Sequence, residues 1–162
     1  MNKLKGIFSI GIGNIFANGI SAIFWLYLAQ LLDSGKYGEL NYFVGVAGMA
    51  EIITLFGTTS VTVHTAKNTN TSPALFLLTI VATAVASSAI FLTTHRFDIS
   101  LLVFGFALND LSLAWLLGKK FYLKYTKIIL AQKILMVIFS LGLYNFWGSD
   151  FIIYGMSLSY AI

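Results

Sequence analysis

Two carboxylic acids, Glu51 and Asp110, each lie near the middle of a long apolar run. An ionised Asp at the centre of a lipid bilayer costs about 2.5–3.5 kcal/mol on insertion scales, so such a group faces the protein interior or a wet cavity. Two chemistries are open at this point. The acids could hold a coupling proton or ion, or contact a substrate. Equally, each could be a neutral acid hydrogen-bonded to a neighbouring helix. Asn109 stands beside Asp110, and Gly105, Asn109 and Ser112 share one helix face.

Other polar side chains recur at helical spacing around these acids. Thr54, Thr58 and Thr62 follow Glu51 on one helix face, and Gly11, Asn14, Asn18 and Ser21 do the same near the N-terminus. Either row could line a hydrophilic cavity. Threonine also bonds the carbonyl one turn back, so ordinary helix packing explains its row as well. Asn14 and Asn18 are expected on a buried face. Thr79, Thr83 and Ser87 also share a face, and such small residues indicate close packing. Lys133 is the one embedded cation, placed little more than a turn into its segment, where its stem would reach back to the interface. Asn14, Asn18, Thr54, Thr58, Asn109 and Lys133, together with Glu51 and Asp110, are the candidates for a cavity or coupling site.

Several chemistries are excluded or lack their residues. The chain has no Cys, which removes disulfides and thiolate metal sites. His64 and His95 are expected at opposite ends of the bundle, so they would not share a metal. No Ser-His-Asp set or exposed acid–base pair is visible, and an enzyme is not expected; no metal or cofactor is expected either. Gly11-Ile12-Gly13 and Gly45-x-x-Gly48 have no preceding strand to make them phosphate loops, and are expected to let helices approach closely.

The elements that must position the candidates are transmembrane helices. The chain is 58% hydrophobic and 10% charged, against about 25% charged in a soluble domain. The segment 6–32 carries no charge at all. A helix needs roughly 20 apolar residues to cross a bilayer, and a spanning segment must satisfy its own backbone hydrogen bonds. The pattern repeats, giving an all-α, polytopic bundle of about six spans near 6–32, 40–64, 74–94, 99–118, 128–147 and 151–162. The last run would rise only about 18 Å, too short to cross. It stops inside apolar sequence, and the chain is therefore expected to be the N-terminal part of a longer protein. A polar loop is expected at 65–73, ending at the one proline, and a basic connector at 119–127.

Cytoplasmic loops carry an excess of Lys and Arg. With the N-terminus in the cytoplasm, Lys3, Lys5, Lys67, Lys119, Lys120, Lys124 and Lys127 fall inside, and only Lys36 and Arg96 fall outside. The net charge of +4 is thus a topology and lipid-headgroup signal rather than a nucleic-acid patch.

One stretch carries a resemblance. Residues 28–38 read L-A-Q-L-L-D-S-G-K-Y-G, followed by Phe56-Gly57, a polar run, and the basic link at 118–127. This pattern is similar to the N-terminal part of the polysaccharide-repeat flippases, within the multidrug/oligosaccharidyl-lipid/polysaccharide exporter superfamily. The resemblance implies a fold of about 12–14 helices in two lobes around a central cavity, of which this chain would be the first lobe. It implies alternating access, with a lipid-linked glycan as substrate, membrane lipids around it and a missing C-terminal lobe as partner. Gln30 stands where the family often has Arg. The first helix has Asn14 and Asn18 and no acid, unlike the related drug exporters, which favours the lipid-linked-sugar branch. The alternatives are an ion-coupled exporter of organic cations and a non-transporting membrane scaffold.

Overall fold

A computed structural model describes residues 3–55, 57–66 and 72–160, and every regular element among them is helical. The helices are α1 (Lys3–Leu31), α2 (Ser34–Leu55), α3 (Thr58–Thr65), α4 (Ser72–Thr94), α5 (Phe97–Gly118), α6 (Tyr122–Trp147) and α7 (Ile152–Tyr160), with a short 3-10 turn at Ser149–Phe151. Lys67 and most of the polar loop at 65–73 lie outside the described residues, as do Phe56 and the last two positions.

Four helices are long and apolar enough to cross a membrane: α1, α4, α5 and α6. Together with α3, α2 makes a fifth, bent candidate. The chain is thus a multi-pass membrane protein by length and composition. Its surface agrees with that reading. Ile15, Ile23, Ile52, Ile53, Leu92 and Phe146 are each between 71% and 76% exposed. Water would penalise so large an apolar surface, whereas acyl chains solvate it.

The boundaries depart from the sequence expectation in three places. The segment 40–64 is not one helix. It breaks at Gly57, whose φ of 81° lies in the left-handed region, and α3 leaves α2 at 51°. Helix α2 starts early, at Ser34, because the Asp33 carboxylate accepts the Lys36 backbone N–H at 2.9 Å and caps it. Most of the expected basic connector is helix too: α6 begins at Tyr122, six residues before the expected start.

Helix α5 sits at the centre, packed by α2, α3, α4 and α7, while α6 lies between α1 and α7. Reciprocal hydrogen bonds tie α4 to α5: Ser87 Oγ donates to the Ser100 carbonyl at 3.1 Å, and Ser100 Oγ to the Ser87 carbonyl at 2.9 Å. Thr79 and Thr83 are buried nearby and bond their own helix. This row is packing, not a pore. Helix α1 leans on α6 and barely touches α2. One contact between them is the edge-on approach of Trp25 to Tyr37, 6.2 Å between ring centres.

Charges close one end of the bundle. Lys36 pairs with Asp150 at 3.0 Å, and Arg96 pairs with Glu39 at 2.7 Å and with Asp98 at 2.9 Å. The Arg96 guanidinium also lies 4.5 Å above the Phe43 ring. Lys36 holds the Asp150 carboxyl below its ordinary range by a hydrogen bond and charge. The hydrogen bonds that Arg96 donates to the Asp98 carboxylate strengthen its hold on its proton. Exposed pairs of this kind contribute little. Asp98 is different, because it is buried and would be stranded without Arg96.

Helix crossings are tightest where glycine faces backbone. A Cβ on Gly155 would stand 2.5 Å from the Ser140 N and Cα, so α7 lies directly on α6. Gly13 meets the Thr126 side chain across α1 and α6, where a Cβ would stand 2.6 Å from Cγ2. Gly11, Gly45 and Gly48, in contrast, face open space and bring no helices together. Gly155→Ala is expected to lower the unfolding free energy by about 1–3 kcal/mol, read by thermal or SDS unfolding in micelles. Gly142→Ala, whose methyl meets nothing within 4 Å, should leave stability unchanged or raised. Equal effects of the two would contradict the tight crossing.

Candidate functional site

The bundle has two apolar cores with a polar layer between them. The larger core gathers Phe24, Leu28, Leu40, Leu102, Met136 and Ile153 toward the end closed by Arg96. The smaller gathers Leu113, Leu116 and Tyr125 at the opposite end. Along α5 the sequence passes from Phe106 in the first, through Asn109 and Asp110, to Leu113 in the second. Helix α6 runs through the same order in reverse: Tyr125, then Gln132 and Lys133, then Met136. At 1.5 Å per residue, Asp110 lies about 12 Å from the Gly118 end of α5, and Lys133 about 16 Å from the start of α6. Both are deep in the apolar slab.

Side chains from four helices meet in this layer. Glu51 on α2 and Asp110 on α5 are neighbours across the two helices. Asn109 Nδ2 donates to Asp110 Oδ1 at 3.2 Å. From α6, Lys133 Nζ donates to the Tyr160 hydroxyl of α7 at 3.4 Å and lies 5.7 Å from that ring's centre. Lys133 is also near enough to Asp110 for their charges to attract. Gln132 is buried beside Tyr160, and among the described residues its Nε2 has no hydrogen-bond partner. Gly105 makes the arrangement possible, because a Cβ there would stand 2.9 Å from Tyr160 Cβ.

Asp110 is exposed on the bundle, and it lines a cleft of about 380 Å³ between α3, α5 and α6, together with Thr59, Ser60, Tyr125 and Ile129. The Tyr125 hydroxyl reaches Asn14 Oδ1 at 3.3 Å, which ties α1 to the same cleft. Asn18 is exposed, so the expected buried face does not hold for it. Its register explains where it lies. Asn14, Asn18 and Trp25 share one edge of α1, and Trp25 shows that this edge turns toward α2.

The candidate residues divide into two groups. Glu51, Asp110, Asn109 and Lys133 are brought together, and Asn14 and Asn18 flank them. Thr54 and Thr58 are not part of the layer's polar lining. Thr54 donates to the Glu51 carbonyl at 2.8 Å and Thr58 to the Leu55 carbonyl, so each satisfies its own backbone. The bend at Gly57 also takes Thr62 onto a separate helix, where it is buried. Lys133 corrects a second expectation. With α6 starting at Tyr122 it is three turns deep, and its ammonium meets Tyr160 instead of the interface. Gln132 and Tyr160 were not among the candidates. Gln132 is legible only as a second polar residue beside Lys133, and nothing local marks Tyr160.

No protein-family model matches this chain, and no curated protein or solved structure is significantly similar to it.

The layer makes a stability prediction. Lys133→Met and Asp110→Asn each remove one member of an interacting set, so their effects on unfolding should be non-additive. The expected coupling energy is about 0.5–3 kcal/mol, read by a double-mutant cycle in micelles. Additivity within about 0.5 kcal/mol would show that the two charges do not interact.

Proposed function

We propose that this chain is the membrane-embedded part of a transporter in which the layer of Glu51, Asp110, Asn109 and Lys133 contacts substrate or carries the coupling ion. One observation carries the reading. Six polar or ionisable side chains from α2, α5, α6 and α7 converge between two apolar cores, beside a cleft that reaches Asp110. Groups of this kind deep in a membrane protein mark substrate or ion paths. A scaffold would have no use for an ionisable layer whose polar groups are incompletely satisfied.

The finer reading follows the resemblance of 28–38 and the basic link to the polysaccharide-repeat flippases. In it the substrate is a lipid-linked glycan, moved by alternating access, with the sugar-phosphate head crossing through the cleft and the lipid tail remaining in the bilayer. A second lobe of the same protein would supply the facing wall, and the N-terminus would be cytoplasmic. The end carrying Lys119, Lys120, Lys124 and Lys127 supports that orientation. The exposure of Asp110 and Asn18 supports a wall completed by something outside this bundle.

The second reading is an ion-coupled exporter of organic cations. It is favoured by the two embedded acids, Glu51 and Asp110, which outnumber the single embedded lysine.

A complementation assay separates these readings. In a host lacking the protein, the flippase reading expects lipid-linked glycan to accumulate and export to fall, with both restored by the complete wild-type protein. Asp110→Asn and Glu51→Gln are expected to reach wild-type membrane abundance and to fail at restoration by about tenfold or more, a loss of roughly 1.4 kcal/mol of coupling or binding. Full restoration by both variants would remove the acids from the mechanism. Normal glycan export combined with sensitivity to cationic drugs would transfer the assignment to the second reading.

A further inference from the structure

The corner between α5 and α6 is built to lie on charged lipid. It turns tightly, with Lys120 in the left-handed region at φ 61° and the Phe121 N–H bonded to the Leu116 carbonyl at 2.9 Å. Four lysines surround it: Lys119, Lys120, Lys124 and Lys127, the last three exposed. Among the described residues none of them forms an ion pair, and the first turn of α6 holds no acid. Two are held against aromatic rings. Lys119 Nζ lies 5.7 Å from the Trp115 ring centre and Lys124 Nζ 5.1 Å from that of Phe121. Apolar side chains share this surface. Phe121 is 43% exposed, Leu123 52% and Ile128 40%.

Neither half of this surface suits water alone. The exposed Phe, Leu and Ile are solvated by acyl chains, while the ammonium groups must stay in the polar interface, with their stems lying along the apolar surface. Both membrane-crossing helices end or begin here, so the corner sits at headgroup depth. Each lysine near an anionic bilayer surface contributes about fivefold to binding. A zwitterionic headgroup brings its own cation and cancels most of that gain.

We infer that the Lys119–Lys127 corner is a docking surface for anionic phospholipid headgroups of the adjoining leaflet, with the phosphodiesters held among Lys119, Lys120, Lys124 and Lys127 and the chains against Phe121, Leu123 and Ile128. The inference does not use the transport reading. Either could stand without the other.

Trp115 reports on the site, because Lys119 lies over it. In a Trp25→Phe/Trp147→Phe background it is the remaining tryptophan of this chain. The protein is reconstituted in phosphatidylcholine vesicles carrying a small fraction of dansyl-labelled phosphatidylglycerol or dansyl-labelled phosphatidylcholine, and energy transfer from Trp115 is read. Transfer to the labelled phosphatidylglycerol should exceed transfer to labelled phosphatidylcholine and should fall as salt is raised. Each Lys→Gln change should reduce the preference by about fivefold, up to its complete loss, whereas Lys→Arg at the same positions should keep it. Equal transfer to the two lipids in the wild-type arrangement would overturn the inference, and that comparison needs no lysine variant to fold. A preference unchanged in the quadruple Lys→Gln variant would also overturn it. So would loss of the preference to inorganic phosphate but not to chloride at matched ionic strength, which would make a soluble anion the ligand.

Discussion

Hydrocarbon offers a polar group nothing to bond with, and the architecture of this chain follows from that constraint. Backbone amides satisfy it by forming helices. Side chains satisfy it by bonding their own backbone or by finding one another. The threonines and serines of α2 and α4 take the first route, with hydroxyls returned to carbonyls three or four residues back or across one helix contact. Glu51, Asn109, Asp110 and Lys133 take the second. They are drawn to one level because any of them left facing acyl chains would be costly. The apolar cores on either side of this level hold the helices in the register that makes the meeting possible.

Packing and electrostatics divide the bundle by height. At one end, Arg96 joins Glu39 and Asp98, and Lys36 joins Asp150, drawing α2, α5 and the turn before α7 together. The Gly155–Ser140 contact presses α7 onto α6 without side chains intervening. Toward the other end α3 packs on α5, where a Cβ on Gly118 would stand 2.6 Å from the Val63 carbonyl oxygen. Helix α1 keeps its hold on α6 but has little contact with α2, and α3 bends away from the α2 axis at Gly57. A cleft bordered by Asp110 and Tyr125 lies between α3, α5 and α6.

Much of this was legible in the residues. The membrane-crossing character of 6–32 and 74–94 follows from uncharged length alone, that of 99–118 from an apolar run whose single charged residue is Asp110, and the depth of Glu51 and Asp110 follows from their positions within such runs. Other features were hidden for physical reasons. The string K-K-F-Y-L-K-Y-T-K looks like a loop because of its charge, yet Lys stems tolerate an interfacial helix, and α6 starts inside it. That early start carries Lys133 from the interface to the polar layer. The break at Gly57 was invisible because one glycine in an apolar run is also compatible with an unbroken helix. Tyr160 and Gln132 could not be found from local pattern, since their role comes from tertiary contacts with Lys133 and Gly105. The close approach expected at Gly45 and Gly48 failed for the same reason: a missing Cβ permits contact but does not create it.

The central claim is that the embedded polar layer opens to water and not to lipid. The absence of native cysteine in this chain makes a direct test clean. Single Asp110→Cys, Asn18→Cys, Ile53→Cys and Val85→Cys variants of the complete protein would be treated in native membranes with a charged, water-borne thiol reagent. The account predicts labelling at positions 110 and 18 and none at 53 and 85, although all four are exposed on the bundle. An Asp110→Cys variant as unreactive as Ile53→Cys would contradict it.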